Sequence, residues 1–146
     1  MNPVSYPSDY LPVVSTIDPQ PVDNSTYVSD WVNMGTFNAV MFVLLLGAAD
    51  IAINAKIRSA EDSSGTNAAD ITGLAMTALG GSDDNKQVVF VVRADQLNAG
   101  HTHVALSVTV GDGTTDYLAA VGIGIGSNYL PAADWDLSSV AEIVKL

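Results

Sequence analysis

"VGIGIGSNYL", residues Val121 to Leu130, sets Gly122, Gly124 and Gly126 one residue apart. Two readings compete for it, and they lead to different folds. A dinucleotide-binding loop needs a strand, then G-x-G-x-x-G, then a helix whose N-terminus meets the pyrophosphate. Here the spacing is G-x-G-x-G, the run continues into "SNYLPAADWD" with no helix start, and no Gly-Lys-Ser/Thr of a Walker loop is near. Read with period two, 117–126 becomes a strand. Tyr117, Ala119, Val121, Ile123 and Ile125 form one face, and Leu118, Ala120, Gly122, Gly124 and Gly126 form the other. Glycine inside a strand marks close approach of another backbone or ring. The bare face is therefore expected to meet a partner sheet, an aromatic of the N-terminal segment or a neighbouring subunit.

The same period runs through the rest of the chain from Thr26. In "HTHVALSVTV" (101–110), Val104, Leu106, Val108 and Val110 point one way; in "IAINAKIRS" (51–59), Ile51, Ile53, Ala55 and Ile57 do. "AVMFVLLL" (39–46) and "KQVVFVVR" (86–93) are apolar at both parities, as strands held between two layers are. "GAAD" (47–50) reads as a hairpin loop between 39–46 and 51–59. "SAEDSSGTNAAD" and "GGSDDN" are polar loops, "ITGLAMTAL" (71–79) is a bent strand interrupted by Gly73, and "RADQL" (93–97) makes a helical turn. "DLSSVAEIVKL" forms a short helix capped by Asp136 or an extended tail. Short strands at regular spacing predict an all-β chain: an antiparallel, jelly-roll-like β-sandwich.

Five of the six prolines lie in the first 21 residues. Proline lacks the N–H and biases its predecessor toward extended backbone, so residues 1–24 are expected as an extended arm outside the sheet. Tyr6, Tyr10, Leu11, Val13 and Val14 make that arm too apolar for a solvated linker, so it either packs on its own domain or clasps a neighbouring subunit. The division that follows is arm 1–24, sandwich 25–130 and C-terminal tail 131–146.

Sixteen acidic residues against five basic ones give a net charge of −11, and the first 55 residues carry no cation. Nucleic-acid binding draws on clustered Lys and Arg, so direct binding is not expected. The longest apolar run, Ala39–Ala49, is too short to cross a bilayer, the N-terminus lacks the pattern of a secretory signal, and no membrane partner is expected. With no cysteine there is no disulfide or thiolate chemistry.

No catalytic set is read from the residues. His101 and His103 share a strand face, but two ligands do not make a metal site. The loops 82–85 and 111–116 are oxygen-rich without the spacing of a calcium loop, and no G-x-S-x-G stands near a base. No metal, cofactor or enzymatic activity is expected. Trp31, Trp135 and the tyrosines are read as anchors of core and interface, with a sugar-binding platform as the alternative. The residues expected to contact other chains are Tyr6, Tyr10, Leu11, Val13, Gly122, Gly124, Gly126, Tyr129 and Trp135.

The order of "VMFVLLLGAADIAINAKI", "ADITGLAMTAL", "DDNKQVVFVVRADQL", "HTHVALSVTVG" and "SNYLPAADWDLSSVAEIV" behind a Pro-rich arm resembles small structural proteins of tailed bacteriophages. Within that group the chain looks most like a capsid decoration, or cement, protein. The resemblance implies a homotrimer on the outside of the head, bound to the major capsid protein and bracing it against packaged DNA. It places the protein in the virion, assembled in the host cytoplasm. Tail-tube or connector roles, and a glycan-binding sandwich in a head fibre or tail attachment module, are the alternatives.

Overall fold

The computed structural model describes residues 6–49, 52–113, 115–128 and 135–145. Among these residues nine strands follow one another: β1 Val13–Val22, β2 Ser25–Val28, β3 Val32–Asn33, β4 Phe37–Leu46, β5 Ile53–Ala60, β6 Ala69–Ala75, β7 Gln87–Arg93, β8 His103–Val110 and β9 Asp116–Ser127. They form two antiparallel sheets. Sheet A has the order β1-β9-β4-β7, and sheet B the order β2-β8-β5-β6 with β3 also on β8. Chain neighbours mostly alternate between the sheets, and the two orders together are those of a jelly roll. The all-β sandwich read from periodicity is the fold observed.

The core lies between the sheets. Val40, Phe42 and Leu44 of β4 and Phe90 and Val92 of β7 are buried opposite Ile53 and Ile57 of β5 and Leu106 and Val108 of β8. The alternation in 101–110 puts Val104, Leu106, Val108 and Val110 inside, and that in 51–59 does the same for Ile53, Ala55 and Ile57; Ile51 lies outside the described residues. Segment 71–79 is strand for its first part, within β6, and bends where Gly73 takes a φ of +85° and the register with β5 shifts. "RADQL" contains the expected single turn, Ala94–Gln96. Of the two forms expected at the C-terminus, the tail is the one observed: a single 3-10 turn at Leu137–Ser139, then no regular structure through Lys145.

Three expectations are corrected. The arm does not stay outside the sheet: Val13–Val22 is β1, paired with β9 from Val13↔Ile123 to Val22↔Asp116. An edge position accommodates Pro19 and Pro21, because a strand bonded on one side needs only alternate N–H groups, and register shifts between Val13/Ser15 and Ile17/Gln20 absorb the rest. The sandwich therefore begins at Val13, not at residue 25. Second, Gly47–Ala49 does not join a hairpin, since β4 and β5 belong to opposite sheets. The segment turns over the end of the sandwich, where Gly47 N–H donates to Tyr117 C=O and Asn85 N–H to Gly47 C=O. Third, β4 and β7 are not enclosed on both faces. Val89 is 58 % exposed and Val91 49 %.

Candidate functional surface: the outer face of sheet A

Antiparallel sheets that face water on one side alternate apolar-in, polar-out. Sheet B does: outside stand Asn54, Lys56 and Arg58 of β5, with Thr109 of β8 hydrogen-bonded through its hydroxyl to Thr26 of β2 at 3.0 Å. Sheet A does not. Its registers align side chains into rows that cross all four strands. One outer row runs Val13, Ile123, Met41, Val91, and the next Thr16, Val121, Val43, Val89. All are half-buried or exposed, and seven of the eight are apolar. Beside them, Leu45 and Tyr117 flank a shallow hollow of about 400 Å³ with Pro19 and Pro21. Apolar side chains thus stand together on the solvent side of this sheet, where single scattered ones are the rule.

The glycine-bearing face points the other way. Gly122 and Gly124 are buried in the sandwich, where a Cβ on Gly122 would lie 2.8 Å from the Phe42 ring and one on Gly124 2.6 Å from the Phe37 ring. Aromatic rings from β4 fill the space the missing side chains leave. Close approach is observed, but its partner is internal, so Gly122 and Gly124 are not intersubunit contacts. Gly126 is exposed at a φ of +66°, against Asn38.

The remaining expected contact residues gather at the outer margin of β1. Tyr10 and Leu11 are exposed, at 40 % and 44 %, and Val13 opens a row of the apolar face. Tyr6 is half-buried, with the Lys145 ammonium 5.2 Å from its ring centroid. Lys145 also bonds Asp9 at 2.7 Å and holds that carboxyl below its ordinary value. Trp135 is half-buried just before Asp136, whose N–H donates to Val13 C=O at 2.9 Å. Burial works against charge on the Asp136 carboxyl, but hydroxyls of Ser139, Ser138 and Thr16 outweigh it and keep its pKa low. Tyr129 lies outside the described residues. The exposure of Met41, Val43, Leu45, Val89 and Val91 on the outer face was not foreseen. Their signal was present in the two-parity apolar runs, which were read as enclosed strands.

No family model matches the sequence, and no curated protein matches it.

Groups of catalytic type hold structural posts. Ser59 Oγ lies 2.8 Å from His101 Nδ1, a nucleophile–base distance. Its residue, however, is fully buried, and the same oxygen accepts from the Asn98 side-chain amide at 2.9 Å and the Asn98 N–H at 3.3 Å. The hydroxyl is saturated and pins the 98–101 loop to β5. His103 turns instead to Thr102, Nδ1 to Oγ1 at 2.8 Å. Asp83 is engaged by Lys86 and the Gly80 N–H, whereas Asp84 accepts from Ala49. Among the described residues no three His, Cys, Asp or Glu side chains cluster as a metal site would require. Each of the chain's five cations is paired with an aspartate: Lys56 and Arg58 with Asp70, Lys86 with Asp83, Arg93 with Asp95, Lys145 with Asp9.

Proposed function

We propose that this chain is a non-catalytic structural protein of a tailed-phage virion, a decoration protein that binds the outside of the head and braces it. The observation that carries this reading is the division of the sandwich into an apolar outer face on sheet A and a polar one on sheet B. Such a molecule lies down on a surface through one sheet and shows water the other. The exposed Tyr10 and Leu11 add apolar contact at the head of β1, so the N-terminal segment fastens the same side to the major capsid protein. The trimer implied by the resemblance now rests on that resemblance alone, because the bare glycine face that also motivated it is filled by Phe37 and Phe42.

The test is occupancy. Heads assembled from the major capsid protein of the same genome are incubated with native protein and with a Val43→Glu/Val121→Glu variant, which places two charges at the centre of the apolar rows. Native protein decorates the heads in electron micrographs and raises the temperature at which they come apart; the variant, folded by circular dichroism, does neither. Equal occupancy by the two proteins overturns the docking face, and no binding by native protein overturns the capsid role.

A glycan-binding role is favoured by a different observation, a hollow of about 340 Å³ on sheet B lined in part by Asn54, Lys56, Asp70 and Thr109. Binding to arrayed glycans that is lost on Asp70→Ala substitution, without head decoration, selects that reading.

A further inference from the structure

Sheets of a sandwich end in edges, and an edge strand presents unpaired N–H and C=O groups to any other strand. This jelly roll has four edges, and three are blunted. β1 carries Pro19, Pro21 and two register shifts. β6 bends at Gly73 with a register shift against β5. The β2 side is split into strands of four and two residues. The fourth edge, β7, has none of these devices. It is seven residues long with no proline or glycine, carries no charge between Gln87 and Val92, and pairs with β4 in an unbroken register from Ala39↔Arg93 to Leu45↔Gln87.

The direction of its backbone follows from two hydrogen bonds. Leu46 N–H donates to Lys86 C=O, so the even-numbered residues of β7 aim their backbone groups at β4. The odd-numbered ones aim away, and Arg93 N–H accordingly turns outward to Gln96 Oε1 at 2.8 Å. The N–H and C=O groups of Val89 and Val91 thus face out of the sheet edge, with no hydrogen-bond partner among the described residues.

We infer that this edge pairs antiparallel with β7 of a second copy of the chain, about a two-fold axis at Phe90. The occupant is argued from self-complementarity. With the axis at Phe90, Val89 of one copy stands opposite Val91 of the other, and both belong to the outward-facing set, so the pair exchanges both backbone hydrogen bonds. Gln87 falls opposite Arg93, so no like charges meet within the paired strands. All of Val88–Val92 find partners, and at the strand end Arg93 N–H keeps its bond to Gln96 Oε1; a shift of the axis to Val89 or Val91 leaves more residues at the strand ends unmatched. Four valines, Val89 and Val91 from each copy, become neighbours on the outer face. The two apolar sheets join into one eight-stranded surface. This pairing does not depend on the virion reading.

The experiment is sedimentation equilibrium of the full chain up to about 100 μM, with amide exchange followed by NMR. The expected species is a dimer, with the Val89 and Val91 amides protected from exchange. Val91→Pro removes an outward N–H that a lone edge strand does not use and yields a monomer. Val89→Lys and Val91→Glu each weaken self-association by at least about tenfold, and an equimolar mixture of the two restores dimers, because the register sets the introduced charges opposite each other. A chain monomeric throughout, a trimer, a dimer indifferent to these substitutions, or a mixture no stronger than its components overturns the proposal. If Val91→Pro does not fold, the charge pair decides alone, since both valines are about half exposed or more, at 58 % and 49 %.

Discussion

The Phe37 ring occupies the place of a side chain on Gly124: a Cβ there would lie 2.6 Å from the ring, which is itself only 1 % exposed. The ring has no route out. Gly124→Ala is expected to destabilise the fold by about 1–3 kcal/mol through overpacking. Phe37→Leu costs stability on its own, yet in the double variant the two losses sum to less than their separate values. Urea unfolding of the four proteins in a double-mutant cycle measures that coupling.

Ser59 supports a second prediction. Ser59→Ala leaves the Asn98 amide groups and His101 Nδ1 without the oxygen they share. The expected loss is about 1–3 kcal/mol, the usual cost of stranding partly buried polar groups. It is read as a shift in urea midpoint at unchanged m-value.

How much of this was legible beforehand differs from strand to strand. The period of two placed β8 and β5 with their core faces, and separated the two faces of β9 without saying which of them is the core face. Gly122 and Gly124 announced a close neighbour, but spacing carries no information about whether Phe37, Phe42 or another chain supplies it. The prolines misled at β1: counted as breakers, Pro19 and Pro21 argued against a strand, whereas an edge with register shifts tolerates them. The exposed apolar face of sheet A was hidden for a related reason. Valines at both parities of β4 and β7 say that both faces avoid water, and enclosure by the chain itself and enclosure by a partner read alike in sequence.

Acid lowers stability, with the sign fixed by the carboxylates. Hydrogen bonds from the Thr66 hydroxyl and the backbone of Thr66 and Ser64 hold Asp62 below 3.8, and a hydrogen bond from Lys56 does the same for Asp70. A group depressed in the folded state contributes stability above its unfolded pKa and loses it as pH falls through the folded value. The melting temperature is therefore expected to hold steady between about pH 5 and pH 8 and to fall below about pH 4. Asp62→Asn lowers it at neutral pH and flattens the acid limb, as calorimetry across the range will record.

The apolar rows of sheet A predict a solvent-facing signature. Native protein binds an environment-sensitive naphthalene sulfonate dye at neutral pH while keeping its near-ultraviolet dichroism, which separates a built surface from a molten state. Val43→Glu/Val121→Glu abolishes most of the dye signal; the two glutamates face each other across β4 and β9 and lower stability as well, and retained near-ultraviolet dichroism shows that the fold persists.

The bond between Lys145 and Asp9, with the Lys145 ammonium over Tyr6, brings the two described ends of the chain to one spot. That spot is the β1 margin of sheet A, across β9 and β4 from β7. Tyr6 and Lys145 thus lie about 14 Å of sheet away from the β7 edge. Splicing the ends through a short linker and reopening the chain in the exposed Glu61–Ser64 loop gives a circular permutant with every strand in its native sheet.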